Sequence, residues 1–264
     1  MSNPKVSVII PCYNQGIYID ECVESVLCQT FDDFEIIIIN DGSSDDYTNK
    51  ILSDYNKPKT TVINSVNQGP SVARNTAIVH AKGEYILPLD ADDKLAPEYL
   101  EKALKVFEQQ PEISVVYSLG QYFGAINRLC SFKPYKFPDF LLGNVVFITA
   151  LYKKSDWEKY KGYNKNMIYG WEDFDFWLYF VADNKKFYRI EETLFYYRRL
   201  EISRTTGVKD EKRIHCFIQI YKNHPMLYFK NIFKILKLYF SQKHNYYRLI
   251  IRYIKYLKLI SSKK

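Results

Sequence analysis

Glu84-Tyr85-Ile86-Leu87-Pro88-Leu89-Asp90-Ala91-Asp92-Asp93 is an apolar run that closes on three acids. The apolar part reads as a buried strand, so the carboxylates stand at its carboxyl end. Crowded there, they repel one another and lose hydration unless something positive sits among them. A hard divalent cation with oxygen ligands is the natural occupant, and substrate phosphates often fill its open positions. Taken alone, the same residues also describe a solvated acidic turn.

The segments on either side favour the first reading. Val6-Ser7-Val8-Ile9-Ile10-Pro11 is apolar and β-branched, as a strand requires. Residues 17–29 carry Ile19, Cys22, Val23, Val26 and Leu27 on one helical face. Residues 34–40 include four consecutive isoleucines, the pattern of a parallel strand buried on both faces. Asp41-Gly42-Ser43-Ser44 then turns the chain and caps a helix with Ile51, Leu52 and Tyr55 inward. A third strand is expected over 60–64, a helix over 71–81 and a fourth strand over 85–89. This alternation predicts a Rossmann-like parallel sheet, with ligands at the carboxyl ends of its strands. Asn14, Asp41, Asn67 and Asp90 all fall there.

Beyond Pro97 the pattern predicts a helix to residue 110, a strand over 114–117 and irregular chain over 120–140. A strand over 145–152, a helix over 172–183 and two short strands over 186–190 and 193–197 follow. No internal repeat is present.

The chain has 264 residues and a net charge of +7, unevenly spread. From Lys212 onward there are thirteen Lys or Arg and no Asp or Glu, so the first 211 residues are slightly acidic. Lys230, Lys234 and Lys237, and again Arg248, Arg252 and Lys255, repeat at i, i+4, i+7 among Leu, Ile, Phe and Tyr. A cationic stripe beside a wide apolar face predicts helices lying on an anionic membrane surface. The alternative is that they pack on the rest of the protein or on a second subunit. Regular charge spacing with large aliphatics favours lipid over nucleic acid, and no nucleic-acid partner is expected.

No apolar run approaches the roughly 20 residues of a membrane span, and no signal peptide is read at the N-terminus. The five cysteines lack metal spacing and predict reduced thiols. A cytoplasmic protein, peripheral on the inner face of the cell membrane, is the expectation. The expected division is a catalytic unit over 1–208, with a nucleotide half (1–93) and an acceptor half (94–208), and a basic helical tail over 209–264. The sequence sets no oligomeric state.

Four segments in order resemble the family 2 glycosyltransferases. They are V-S-V-I-I-P-C-Y-N-Q (6–15), I-I-I-I-N-D-G-S-S-D (36–45), N-Q-G-P-S-V-A-R-N-T-A-I (67–78) with G-E-Y-I-L-P-L-D-A-D-D (83–93), and G-W-E-D-F-D-F-W-L (170–178). The resemblance spans about residues 4–206. It implies the GT-A fold and an inverting transferase that uses a nucleotide-sugar donor, here UDP-linked, with Mn²⁺ or Mg²⁺. The acceptor would be a saccharide or lipid-linked saccharide of a surface polysaccharide.

Residue by residue, the resemblance implies a metal held by Asp92 with Asp90 or Asp93, and Asp90 and Ala91 beside the nucleotide ribose. Asp41 would accept from the uracil imide, or else serve only as a turn residue. Pro11, Tyr13, Asn14 and Asn67 would line the base, Tyr13 having core packing as its alternative. Arg74 would lie near the diphosphate, or be a surface helix cation. Asp173 would be the general base opposite the leaving diphosphate, with Glu172 binding acceptor or starting the helix. Both acids also suit a helix N-terminus. Trp171 would stack on an acceptor sugar or pack in the core. Arg198 or Arg204 would touch the diphosphate. The closing Tyr197–Ser203 segment lacks the histidine that relatives often carry near Leu200, so no third metal ligand is assigned. Two other readings were open: a nucleotidyltransferase, which would need a Gly-rich phosphate loop that is missing, and a non-catalytic nucleotide-sugar-binding adaptor.

Overall fold

A computed structural model describes residues 3–200 and 210–241. Its first part follows the expected alternation: β1 (Val6–Cys12), α1 (Gly16–Leu27), β2 (Phe34–Asp41), α2 (Asp46–Ser53), β3 (Thr60–Ser65), α3 (Pro70–His80) and β4 (Tyr85–Pro88). The four strands pair in parallel in the order β3-β2-β1-β4. Alternate side chains of one strand point to opposite faces. Val8, Ile10, Ile36 and Ile38 therefore join one core, while Ile9, Ile37 and Ile39 join another. The isoleucine run is the signature of this double burial.

The second part completes the same sheet. It comprises β5 (Lys94–Leu95), α4 (Tyr99–Gln109), β6 (Ile113–Gly124), β7 (Arg128–Leu129), β8 (Leu151–Lys153), α5 (Lys154–Tyr160), α6 (Glu172–Ala182) and β9 (Lys186–Arg199). The strand order runs on through β4-β8-β6-β9-β5, with β7 on β6. β8 is antiparallel to β4 and β6, and β9 is parallel to β6. The result is the mixed, mostly parallel α/β architecture of the GT-A fold.

Three expectations change here. The 120–140 stretch is not wholly irregular: β6 runs to Gly124 and folds back into β7. The 145–152 strand shrinks to β8. Val146 and Ala150 are buried, but Val146 N bonds to Asn144 Oδ1 and Ala150 N to Ile148 O instead of to a neighbouring strand. The two short strands at 186–197 are one, β9, whose register against β6 shifts near Ser118 and Leu119. That shift breaks the alternation on which the strand reading depended.

The helical extension also differs from a free tail. It forms α7 (Asp210–Asn223), α8 (Pro225–Lys230) and α9 (Ile232–Ser241), so the helix read through residue 231 is broken there. Cys216, Ile220 and Tyr228 are buried with Phe174, Trp177 and Phe180 of α6 in the second core. Burying an apolar side chain of that size contributes about 1.5–3 kcal/mol. Residues 210–231 therefore belong to the catalytic unit's packing, and the boundary expected at 208 does not separate them. The stripe at Arg248, Arg252 and Lys255 lies outside the described residues. Among the described residues no helix is long and apolar enough to cross a membrane. None of the five cysteines forms a disulfide, and Cys28 alone of the five is exposed.

Candidate active site

Loops from β1, β2 and β3 meet at the carboxyl edge of the sheet. Asn14 has φ +54°, a left-handed conformation that asparagine tolerates. Its Oδ1 accepts from Ser44 N at 2.8 Å and Asp45 N at 3.2 Å, and its own N–H donates to Ser43 Oγ at 3.1 Å. Asn14 thereby joins the first two loops. Asp41, only 4 % exposed, joins the second and third: its two oxygens accept from Gln68 N and Gly69 N, each at 3.0 Å. Gly42 has φ +63°, and a Cβ there would stand 2.5 Å from Asn67 N, so the crossing admits only glycine. The cap of α2 is Asp45, which accepts from Thr48 N at 2.8 Å, and not the 41–44 turn. Tyr13 is 44 % exposed and so is no core residue; Asn67 is exposed and Pro11 half-buried.

The acidic turn after β4 separates its members. Asp93 is buried, its Oδ1 accepts from Arg198 N at 2.8 Å, and its Oδ2 is enclosed without a partner. Burial first, then the charges of Asp92 and Asp90, push this carboxyl well above the ordinary range. Asp92 and Asp90 are half-buried, with Ala91 buried between them. Burial, then the Asp90 charge, raises Asp92 to about 6, with Gln15 and Arg198 pulling it back. Arg198 is taken up by contacts within the protein. Its Nε donates to Asp92 O at 2.8 Å, it pairs with Glu21, and its guanidinium lies over Tyr18 and Phe123. It fastens β9 to the acidic turn. Arg204 lies outside the described residues. Among the described residues no group of three or more His, Cys, Asp or Glu side chains could hold a metal ion.

Arg74 lies between the acidic turn and α6. It is 3 % exposed, not a surface cation, and bridges Asp90 Oδ1 at 2.5 Å and Glu172 Oε1 at 2.8 Å. Burial opposes its charge, but Asp90 and Glu172 overcome that and hold its pKa above the usual value. The guanidinium sits 5.9 Å from the Tyr163 ring, which Asn75 fixes through Tyr163 N and O. Arg74 thus ties the acidic turn to the start of α6, and Glu172 is occupied in that tie.

Asp173, next along α6, is half-buried. It accepts from Asn144 Nδ2 at 2.8 Å and from its neighbour Phe174 N at 2.7 Å. Burial, then the Glu172 charge, raises it to about 7, with Phe174 N and Arg74 opposing. A carboxylate that titrates near neutrality suits proton removal from a hydroxyl. Trp171 precedes α6 at φ +67°, rare for a bulky residue and a mark of local strain. One edge of its contacts is taken by Phe217 of α7, at 4.4 Å between ring centroids.

Sequence reasoning did not single out Asn144, which lies in no motif and acts by proximity, or Gln15, which closes the first motif but was given no role. Tyr197, which opens the closing segment, was likewise given no role. Its hydroxyl is pushed up by burial and then by the charges of Asp93, Asp90 and Asp92, which places its ring toward the acidic turn.

The glycosyl transferase family 2 profile matches residues 7–150. An uncharacterised glycosyltransferase of Methanocaldococcus jannaschii is 34 % identical over 209 residues, covering 75 % of this chain and 72 % of its own. A chondroitin synthase of Escherichia coli is 40 % identical over 130 residues, 48 % of this chain but 19 % of its own. Among solved structures, S. aureus TarS 1–349 in complex with UDP-GlcNAc matches with a TM-score of 0.69 at 21 % identity, covering 83 % of this chain and 66 % of that one. The chain belongs to glycosyltransferase family 2. It is a glycosyltransferase with the GT-A fold.

Proposed function

We propose that this glycosyltransferase inverts configuration as it moves a sugar from a UDP-sugar to a hydroxyl of a saccharide or lipid-linked acceptor in surface-polysaccharide synthesis. The observation that carries the reading is Asp173, at the start of α6: a carboxyl raised to about 7 by burial and the Glu172 charge, and held by Asn144. It takes the acceptor proton as the new glycosidic bond forms. Asp41 and the loops joined by Asn14 receive the uridine, with Tyr13 exposed beside them. Supporting the nucleotide-sugar class, the similar TarS structure contains UDP-GlcNAc, and a Pyrobaculum calidifontis mannosyltransferase of TM-score 0.61 contains GDP-Man and Mn²⁺.

The acids fit a divalent cation. Asp92 is raised toward neutrality by its own crowding, a cost that a cation removes, and it is half-exposed. Asp92 and Asp90 would hold the ion, while Asp93 is occupied by Arg198 N. Two carboxylates leave positions for diphosphate oxygens, and the ion would neutralise charge on the leaving diphosphate.

The membrane part of the reading rests on α8 and α9. Met226, Phe229, Phe233 and Leu236 are exposed at 59, 73, 83 and 41 % beside Lys230, Lys234 and Lys237. Apolar side chains among lysines suit an anionic leaflet on the cytoplasmic side. A thermal-shift screen of UDP-, GDP- and dTDP-sugars with and without Mn²⁺ tests the donor reading. A UDP-sugar should raise the midpoint most, and only with the metal; no shift with any of them would defeat it.

A further inference from the structure

Away from the acids, two cations crowd one aromatic ring. The Arg128 and Arg199 guanidiniums lie 5.9 and 5.4 Å from the centroid of Tyr122, and Arg199 also lies 5.6 Å from that of Tyr197. Neither makes an ion pair among the described residues, whereas Arg74, Arg189 and Arg198 each hold a carboxylate. The slight acidic excess of the first 211 residues makes this lack of a partner a feature to explain.

The platform is built on backbone. Tyr122 is paired with Arg128 across β6 and β7 and with Tyr197 across β6 and β9. The turn between β6 and β7 is pinned to β9 by Ala125 N on Arg199 O at 2.8 Å. Gly124 permits the approach: it has φ +89°, and a Cβ would meet Arg199 O at 2.9 Å. Gln121 Nε2 closes the hairpin on Asn127 Oδ1 at 2.8 Å. Two like charges beside one ring repel, and an anion that reaches both relieves this.

The platform also adjoins the reaction site. Tyr197 and Arg199 share one face of β9, and the intervening Arg198 N is the group bonded to Asp93. Phe147 contacts Tyr197 at 6.4 Å and lies three residues from Asn144, the partner of Asp173. We infer that Arg128 and Arg199, over Tyr122, bind an anionic group of the acceptor saccharide, a carboxylate or a phosphate. This rests on the glycosyl-transfer reading and names its acceptor class.

The test uses the full chain with UDP and Mn²⁺ and measures binding of methyl β-glucuronide, glucose 6-phosphate and neutral methyl β-glucoside. One or both anionic sugars should bind and the glucoside should not; whichever binds names the carboxylate or the phosphate. The double variant Arg128→Gln/Arg199→Gln should weaken that binding about tenfold or more, as expected for charge-assisted bonds. Its affinity for UDP should match the parent, which also shows that it is folded. Equal binding of the glucoside, no binding of either anion, or undiminished anion binding by the variant would each overturn the inference. So would a parallel fall in UDP affinity, which would assign the arginines to the donor. Failure of the parent to bind UDP would instead strike the donor reading.

Discussion

His224→Ala should cost this enzyme far more than a residue so distant from its motifs suggests. Asp175 is fully buried on α6, two residues beyond Asp173. Its Oδ1 lies 3.0 Å from His224 Nε2 and accepts from Asn223 Nδ2 at 2.7 Å, while its Oδ2 has no partner. The His224 ring also packs on Tyr179, 4.4 Å between centroids. Truncation leaves the buried Asp175 side chain with one donor, and losing a buried hydrogen-bond partner costs about 1–3 kcal/mol, to which the lost packing on Tyr179 adds. For a chain of this size that is a fall in melting temperature of several degrees. His224→Gln, which keeps an N–H donor, should lose clearly less. Melting curves of the three proteins, followed by far-UV circular dichroism, decide it. If His224→Ala melts within about 1 °C of the parent, the anchoring of α6 by α7 and α8 is wrong.

Asp92→Asn should abolish Mn²⁺-dependent UDP binding while the fold survives, as read by calorimetry; unchanged affinity with Mn²⁺ would remove its metal role. Asp173→Asn should lower transfer by about 10² to 10⁴ with donor affinity nearly unchanged, and the parent's kcat/KM should rise with pH through about 7. Its raised pKa means the folded state binds the extra proton between the ordinary carboxylate range and about 7. The stability this contributes is fully present below the ordinary carboxylate range and is lost progressively as pH rises to about 7, so the melting advantage of the Asn variant over the parent should grow across that window and level off above it. A chain ended at residue 208 should aggregate or melt early, whereas one ended at residue 231 should fold and bind UDP. The latter should pellet less with anionic vesicles than the full chain, each lost lysine or arginine near the surface removing about 1 kcal/mol. Equal pelleting of the two would take the membrane role from the tail.

The elements of the first half were legible because a strand buried on both faces must be apolar throughout, and β2 is. The acids and the Glu172–Asp173 pair were legible as motifs. What could not be read was how they are partnered. Arg74 and Glu172 are 98 residues apart, and nothing local in either distinguishes a buried bridge from a surface charge. Asn144 reads as an ordinary loop amide until the fold sets it against Asp173. In the tail, the lysine stripe was visible, but Cys216, Ile220 and Tyr228 occupy positions that periodicity alone assigns equally to lipid and to core. The choice between those depends on the apolar face of α6 lying open to receive them.

Arg74 shows why the two expected halves of the catalytic unit act together. It comes from the nucleotide half, yet one of its two carboxylates, Glu172, belongs to the acceptor half. β4 and β8 carry the same connection through the sheet. One buried cation therefore faces two carboxylates, with Asp173 beside them. Its charge lowers the Asp173 pKa, while the Glu172 charge raises it. Were Arg74 lost, Glu172 and Asp90 would each keep a charge without its counterion, and Asp173 would face the full repulsion of both. The arginine that holds the acidic turn in place also opposes the rise that burial and the Glu172 charge impose on Asp173. The proposed donor site and the proposed base are thus joined to a single side chain, which no motif-by-motif account of the enzyme would require.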